Sequence, residues 1–142
     1  MSSHISSDDL KRYFLKDKFA AYIGIELLSV GDGKARAKLN IKPHHLNGVG
    51  IVHGGVTYTL ADLAFAAAVN SRGHVAVAIC NTISYVKATK GAVIHAEAAE
   101  VAANPRLATY VVNVIDEEGE IVCVFQGMAY KKNQKVDYFE TV

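Results

Sequence analysis

The sequence predicts an α+β protein in which an antiparallel sheet covers one long helix. An apolar, alanine-rich stretch over residues 54–70 starts after a histidine, begins with two glycines and is followed by a glycine at position 73, which is typical of a buried helix. Strand-like segments lie on both sides of this stretch, and those after it are consecutive and separated by short turns. Consecutive strands joined by hairpins pair antiparallel, and a single long helix then has to cover one face of their sheet.

Length and composition limit the class of protein. The chain has 142 residues, of which 51% are hydrophobic and 20% charged, which fits one globular domain and disfavours disorder or a coiled coil. A net charge of +1 disfavours nucleic-acid binding. No apolar run reaches the roughly 18 residues of a membrane span, and no signal-peptide pattern is present. Cys80 and Cys123 lie in apolar runs, so we expect buried, reduced thiols and a cytoplasmic protein.

The elements before the long helix are predicted to be a short helix and a hairpin. Cap oxygens and first-turn acids precede apolar residues at helical spacing, which predicts an amphipathic helix over residues 7–18. The apolar run 19–30 predicts a strand, and Gly31-Asp32-Gly33 predicts a turn. Polar and apolar residues alternate over 34–41, which predicts a second strand with one solvated face.

Four strands are predicted after the helix, separated by turn signals that include Asn104-Pro105 and Glu117-Glu118-Gly119. We therefore expect a single domain over residues 1–142, with a core over 19–131 and a basic tail over 131–142. The four predicted strands cover residues 74–87, 92–101, 107–116 and 120–130.

Asp62 is the only charged residue between Gly54 and Val69, in the middle of the long helix. Removing a carboxylate from water costs several kcal/mol unless it is paired, shifted in pKa or used chemically, so Asp62 is a candidate functional residue. The alternative is that Asp62 is solvated, in a narrow polar stripe with Thr59, Ala66 and Asn70 at helical spacing.

Gly54 and Gly55 stand at the start of the same helix, where unpaired backbone amides carry a partial positive charge. Such amides stabilise the oxyanion that forms during acyl transfer. Eight residues separate Gly54 from Asp62, which is about 12 Å along a helix, so both cannot contact one carbonyl. If both act on one substrate, they come from two chains whose helices run antiparallel across a two-fold axis. The spacing then predicts an obligate dimer with two equal sites.

The segment Asn47-Gly48-Val49-Gly50-Ile51-Val52-His53-Gly54-Gly55, followed by Leu60-Ala61-Asp62, resembles the signature of hotdog-fold acyl-CoA thioesterases of the phenylacetic-acid-degradation type. The resemblance continues over residues 22–37 and 83–87 and covers the chain from about Phe19 to Tyr130. It implies hydrolysis of an acyl-CoA thioester by a sheet wrapped around a central helix. It also implies homodimers with a continuous sheet, commonly paired into homotetramers.

The resemblance assigns a role to each candidate residue. The Gly54 amide polarises the thioester carbonyl, Gly55 supports the turn, and Asp62 of the partner subunit is the general base or nucleophile. Asn47 and His53 orient the carbonyl, the water or the loop. Three residues are expected to bind substrate: Gly55, Tyr85 on the strand after the helix, and Arg106. Arg106 contacts a coenzyme A phosphate or, as an equal alternative, is a solvated turn arginine. No cofactor is implied, because coenzyme A is part of the substrate.

The resemblance leaves open what holds the attacking water and which reaction the fold performs. Ala66 and Ala78 occupy positions where relatives carry a hydroxyl that holds the water. The same fold could also bind acyl-CoA as a non-catalytic sensor or act as a hydroxyacyl thioester dehydratase or hydratase.

His44, His45 and His53 have no acid or cysteine at a zinc-ligand spacing, so no metal is assigned. The residues near Asp62 are compatible with an aromatic or an aliphatic acyl group.

Overall fold

A computed structural model describes residues 6–89 and 91–137. Within these residues, three α-helices and six β-strands form one layer of sheet with helices against it. None of the helices in this part of the chain has the length and hydropathy to cross a membrane. The helices are α1 (Ser7–Phe14), α2 (Lys18–Ile23) and α3 (Gly54–Asn70); the strands are β1 (Ile25–Gly31), β2 (Lys34–Asn40), β3 (His74–Tyr85), β4 (Val93–Ala103), β5 (Leu107–Ile115) and β6 (Ile121–Lys135).

The sheet has the strand order β1-β2-β4-β5-β6-β3, and every neighbouring pair is antiparallel. Hairpins join β1 to β2, β4 to β5 and β5 to β6, whereas β3 follows α3 and pairs with β6 at the far edge. The predicted fold class is confirmed, and the long helix has the predicted bounds.

The core lies between α3 and the sheet. Ala61, Ala64, Ala67 and Ala68 of α3 are fully buried, and their small side chains let the helix backbone approach the curved sheet closely. Phe65 fills the centre of this interface. The centroid of its ring lies 5.6 Å from the ring centroid of Tyr110 and 5.8 Å from that of Phe125. Because buried aromatic side chains contribute several kcal/mol each, this cluster fixes the position of α3 on the sheet.

The amino-terminal prediction is wrong in two places. The helix predicted over residues 7–18 ends at Phe14, and α2 occupies the first part of the strand predicted over 19–30. The reason is local capping: the Asp17 carboxylate accepts a hydrogen bond from the Ala20 amide (2.9 Å), and Gly24 ends α2 in the left-handed conformation with φ +99°. An apolar run between a helix cap and a glycine forms a helical turn rather than a strand.

The carboxyl-terminal prediction is also corrected. Residues 131–135, expected to belong to a solvated tail, extend β6 and pair with the start of β3, with Lys131 opposite Ala76 and Lys135 opposite His74. The length of β3 explains the extension, because its first residues need a partner strand. Val136 is also buried, and its amide donates to the Gly73 carbonyl oxygen at 3.0 Å. Residues 138–142 of the predicted tail lie outside the described residues.

The two cysteines differ, contrary to the expectation that both are buried. Cys123 is buried on β6, and this burial raises the pKa of its thiol to about 11. Cys80 is exposed on β3. The difference arises because β3 is an edge strand, which the apolar composition of its sequence did not reveal.

Candidate active site

The amino terminus of α3 has a backbone amide without a hydrogen-bond partner among the described residues. His53 is the N-cap, and its Nδ1 atom accepts a hydrogen bond from the Gly55 amide at 2.9 Å. The Gly54 amide, at the first position of the helix, has no hydrogen-bond partner among residues 6–89 and 91–137. The cap therefore occupies the Gly55 amide and leaves the Gly54 amide for a ligand.

Tyr85, at the end of β3, holds this helix start from the other side. Its hydroxyl donates a hydrogen bond to the Gly54 carbonyl oxygen at 2.9 Å. A Cβ atom added to Gly54 would lie 3.1 Å from the Tyr85 ring, so the close approach of the two residues favours glycine here. Burial raises the pKa of the Tyr85 hydroxyl, which stays protonated and able to donate.

The loop before α3 is shaped by the side chain of Asn47. Its Oδ1 atom accepts hydrogen bonds from the amides of Val49 (3.0 Å) and Ile51 (3.3 Å). The Asn47 amide in turn donates to the Ile51 carbonyl oxygen at 2.8 Å. The oxygen of the Asn47 side chain is thus used by the loop, and Asn47 lines the same cavity as Gly54.

Asn47, Gly54 and Tyr85 come together around a cavity of about 430 Å³, here called the Gly54 cavity, which is also lined by Thr57, Lys87 and Thr89. Three sequence-predicted residues are therefore neighbours in one chain. His53 and Gly55 lie at the same helix start but have their polar atoms directed to each other.

Asp62 is half-buried and does not line the Gly54 cavity. Burial raises the pKa of its carboxyl above the usual range for aspartate, and the negative charge of Asp17 raises it further. No hydrogen-bond donor reaches the Asp62 carboxylate within the described part of the chain. A half-buried, unpaired carboxylate with a raised pKa is suited to act as a base.

The alternative view of Asp62 as part of a polar stripe is correct in part. Thr59, Asp62 and Ala66 are half-buried on a helix that is otherwise mostly buried, and they follow one another at helical spacing. Asn70 does not belong to the stripe, because it is 7% exposed and its side chain donates to the Ala66 carbonyl oxygen at 2.7 Å.

Arg106 lies at the other end of the sheet, in the turn between β4 and β5. Its side chain is exposed and lines a polar cavity of about 370 Å³, together with His74, Lys131 and Lys132. His74 begins β3 and Tyr85 ends it, so about 35 Å of strand separates this basic cluster from the Gly54 cavity of the same chain.

The sequence analysis missed Asp17 and a polar pair between α3 and β3. Asp17 caps α2, and nothing in its sequence context links it to Asp62. In the pair, the Asn81 side-chain amide donates to the Tyr58 hydroxyl at 2.9 Å, one helical turn before Asp62. An asparagine within the apolar run of β3 was the available signal.

One group of carboxylates could be considered for a cation. Asp116, Glu118 and Glu120 lie within 4.8 Å of one another in the turn between β5 and β6. The Lys87 ammonium lies 3.1 Å from Asp116 and also contacts Glu120, so the cluster already has a cationic partner. We assign it no metal.

Known proteins with a similar sequence and structure form one family. Residues 49–123 match the model of the thioesterase superfamily. A putative esterase of Archaeoglobus fulgidus is 36% identical over 127 residues, covering 88% of this chain and 82% of the relative. The acyl-coenzyme A thioesterase PaaI of Escherichia coli is 28% identical over 130 residues, covering 91% of this chain and 93% of PaaI.

Solved structures agree. The structure of E. coli PaaI, from the phenylacetic acid degradation operon, superposes with a TM-score of 0.85 at 25% identity, covering 94% of this chain and all of that one (100%). A hypothetical thioesterase from Streptococcus pneumoniae, solved with coenzyme A, has a TM-score of 0.80 at 26% identity and covers 87% of this chain and 97% of its own. The chain therefore belongs to the thioesterase superfamily, and its antiparallel sheet with α3 is the hotdog arrangement of the PaaI-like members.

Proposed function

We propose that the protein hydrolyses acyl-CoA thioesters to a free acid and coenzyme A. The observation that carries the proposal is the Gly54 amide at the start of α3, which no described residue contacts as a hydrogen-bond acceptor, beside a cap that occupies the next amide. The activity that PaaI is named for and the coenzyme A in the S. pneumoniae structure support this substrate class. Release of free thiol from a panel of acyl-CoA esters tests the proposal; tight binding of the esters with no thiol release would instead indicate a sensor, and hydration of an enoyl-CoA with no thiol release a hydratase.

Gly54 is the proposed oxyanion donor. Its amide donates to the thioester oxygen as negative charge develops there, and the dipole of α3 adds to the stabilisation. A donor of this kind contributes about 3 to 4 kcal/mol to the transition state in characterised enzymes. Tyr85, Asn47 and His53 are proposed to position this amide rather than to react.

Asp62 is the proposed general base. Its carboxylate accepts a proton from water as the water oxygen attacks the carbonyl carbon, and the C–S bond breaks when the tetrahedral intermediate collapses. The proton then passes to the leaving thiolate. A nucleophilic Asp62 would instead form a mixed anhydride with the acyl group. A single turnover in water enriched in the heavy oxygen isotope tests for the anhydride: water that attacks it at the Asp62 carbonyl carbon leaves label in the Asp62 carboxylate, whereas direct attack on the thioester labels the product acid alone.

The site is proposed to form between two subunits, because Gly54 and Asp62 lie about 12 Å apart along α3. Strand β3 supports this arrangement: it is the last strand of the sheet and exposes Val77, Ile79 and Tyr85. A largely apolar strand of 12 residues, with no neighbour on its outer side among the described residues, is suited to antiparallel pairing with a second copy across a two-fold axis. The half-buried stripe around Asp62 would then face the partner helix.

Mixed dimers test the shared site directly. An Asp62→Asn chain and a Gly54→Pro chain are each inactive on this proposal, but a mixed dimer contains one site with an intact Gly54 amide and an intact Asp62. Random assembly from equal amounts should restore about a quarter of the wild-type activity. Activity that stays at the level of the separate variants would show that each site is built by one chain.

The basic cluster of His74, Arg106, Lys131 and Lys132 is proposed to bind the phosphates of coenzyme A. Antiparallel pairing of two β3 strands brings the His74 end of one chain towards the Tyr85 end of its partner, and so brings Arg106 towards the partner's Gly54 cavity. Arg106→Ala should raise KM for an acyl-CoA about tenfold without lowering kcat. The corresponding pantetheine thioester, which lacks the nucleotide phosphates, should show no such change; equal KM values for wild type and variant on acyl-CoA would indicate a solvated arginine.

A further inference from the structure

A second cavity of about 500 Å³, here called the N-terminal cavity, lies where α1 and α2 pack against β1 and α3. Its lining is mainly apolar and includes Phe14, Leu15, Ala20, Ala21, Ile25 and Leu63. Its size is in the range of small-molecule binding sites.

The N-terminal cavity reaches the residue next to Asp62, although Asp62 itself does not line it. Leu63, in its lining, is the next residue of α3. Asp17, also in the lining, is close enough for its charge to act on the Asp62 carboxyl. A thioester carbonyl within reach of Asp62 would therefore have this apolar space next to it.

Apart from Asp17, which caps α2, the charged residues around the N-terminal cavity are already paired. Among the described residues, each of its two cations has an acidic partner outside the lining, and its glutamate has a basic one. These pairs are Lys11 with Asp8 (3.8 Å), Arg12 with Asp9 (3.0 Å) and Glu26 with Lys38 (3.6 Å). The cavity thus offers no free cation to a phosphate or a carboxylate, and an uncharged occupant fits it best.

The Gly54 cavity differs in chemistry. Asn47, Thr57, Lys87 and Thr89 give it a mixed lining that is more polar than that of the N-terminal cavity. Of the two spaces that a shared site would join, the more polar one suits the amide-rich pantetheine arm and the apolar one suits a hydrocarbon chain.

We propose that the N-terminal cavity binds the acyl group of the thioester, and that α1 and α2 make the protein select uncharged aliphatic chains by length. This inference rests on the proposed function, because the position of the carbonyl at Asp62 defines what extends into the cavity. Each further methylene buried should raise kcat/KM about threefold to fourfold until the cavity is full.

Substitution of Ala21 tests the proposal. Ala21 is exposed on α2 and lines the cavity, so Ala21→Phe fills part of the space with little effect on folding. The loss in kcat/KM should grow with chain length, from small for acetyl-CoA to at least about tenfold for dodecanoyl-CoA. Lys18→Phe is the matched control, since Lys18 is exposed on the same helix and does not line the cavity; its length profile should equal that of the wild type.

Binding of S-alkyl coenzyme A thioethers gives a readout that does not depend on turnover. If the wild type releases no thiol but binds longer thioethers more tightly, and Ala21→Phe removes this dependence, the cavity assignment holds and the proposed function fails. If the wild type is active and Ala21→Phe lowers kcat/KM by the same factor for every chain length, or for none, the cavity assignment is overturned and the function stands. An absence of both turnover and length-dependent binding overturns both.

Discussion

The start of α3 and its middle are built on different principles. At the start, the cap of His53, the hydrogen bond from Tyr85 and the loop around Asn47 fix the Gly54 amide within one chain. In the middle, Asp62 has no hydrogen-bond donor within the described residues, and burial with the nearby charge of Asp17 raises its pKa. The amide is a preorganised electrostatic group, whereas the carboxylate is left unpaired and reactive.

The two halves of the proposed site should therefore respond differently to substitution. The amide end should tolerate a change in any one supporting contact, because several contacts share the task. The Asp62 end should lose its function when one oxygen of this carboxylate is replaced, because the proposed mechanism passes the proton from water to Asp62 alone.

Asp62→Asn should have the largest effect. An amide does not accept the proton from water, so kcat should fall about a thousandfold or more in a thiol-release assay. Sedimentation velocity should show the same oligomer as the wild type. A variant that retains a tenth of wild-type activity would remove Asp62 from the proposed mechanism.

The same variant should change the pH dependence of stability. Because the pKa of Asp62 is raised in the folded state, folding favours its protonated form, and stability falls as pH rises from the ordinary aspartate pKa through the raised value. Asp62→Asn removes this loss, so the difference in melting temperature between variant and wild type should grow over that window and stay constant above it. A constant difference throughout would contradict the raised pKa.

Gly54→Pro should have the next largest effect. Proline is favoured at the first position of a helix, and His53 already has the extended conformation (φ −60°, ψ 134°) that precedes proline, so the helix should form without the amide donor. We expect kcat to fall about a hundredfold to a thousandfold.

Gly54→Ala is the control for this loss. It adds the same Cβ atom near the Tyr85 ring but keeps the amide donor. We expect kcat to fall about tenfold, because the added atom displaces the thioester carbonyl from its best position. Gly48→Ala, where no atom lies within 4 Å of the added Cβ, should leave kcat/KM unchanged. Equal losses for proline and alanine at position 54 would attribute the effect to crowding and not to the donor.

Tyr85→Phe should have a smaller effect. It removes one of the contacts that hold the Gly54 peptide, and the net value of such a hydrogen bond predicts a fall in kcat/KM of about twofold to tenfold. Because the pKa of Asp62 is untouched, the pH profile should keep its shape. A changed profile would give Tyr85 a part in proton transfer.

Asp17→Asn should have the smallest effect on the maximal rate. Asparagine caps a helix as well as aspartate does, so α2 should persist while the negative charge near Asp62 is lost. The pKa of Asp62 should then fall, and the acidic limb of the kcat profile should move to lower pH with the plateau unchanged. An unmoved limb would show that burial alone sets this pKa.

Much of the candidate site could be predicted because its signals are local. The glycines, the N-cap histidine and the unusual acid all lie within one helix and at its start, and the structure brings Asn47, Gly54 and Tyr85 around one cavity. The amino-terminal helices were predicted less well, because an apolar run is compatible with a strand or a helix until its caps are weighed. Asp17 could not have been linked to Asp62, since 45 positions separate them in the sequence.

The sequence by itself determined the class of fold, the limits of α3 and the acid and glycines on it, because helix periodicity, caps and turns depend on neighbouring residues. Only the tertiary structure decided which strand lies at the free edge, that Cys80 is exposed, that β6 continues to Lys135 and that an apolar cavity adjoins Asp62. These features arise from the packing of segments distant in the chain, and burial by distant segments leaves no periodic trace in the sequence of any one of them.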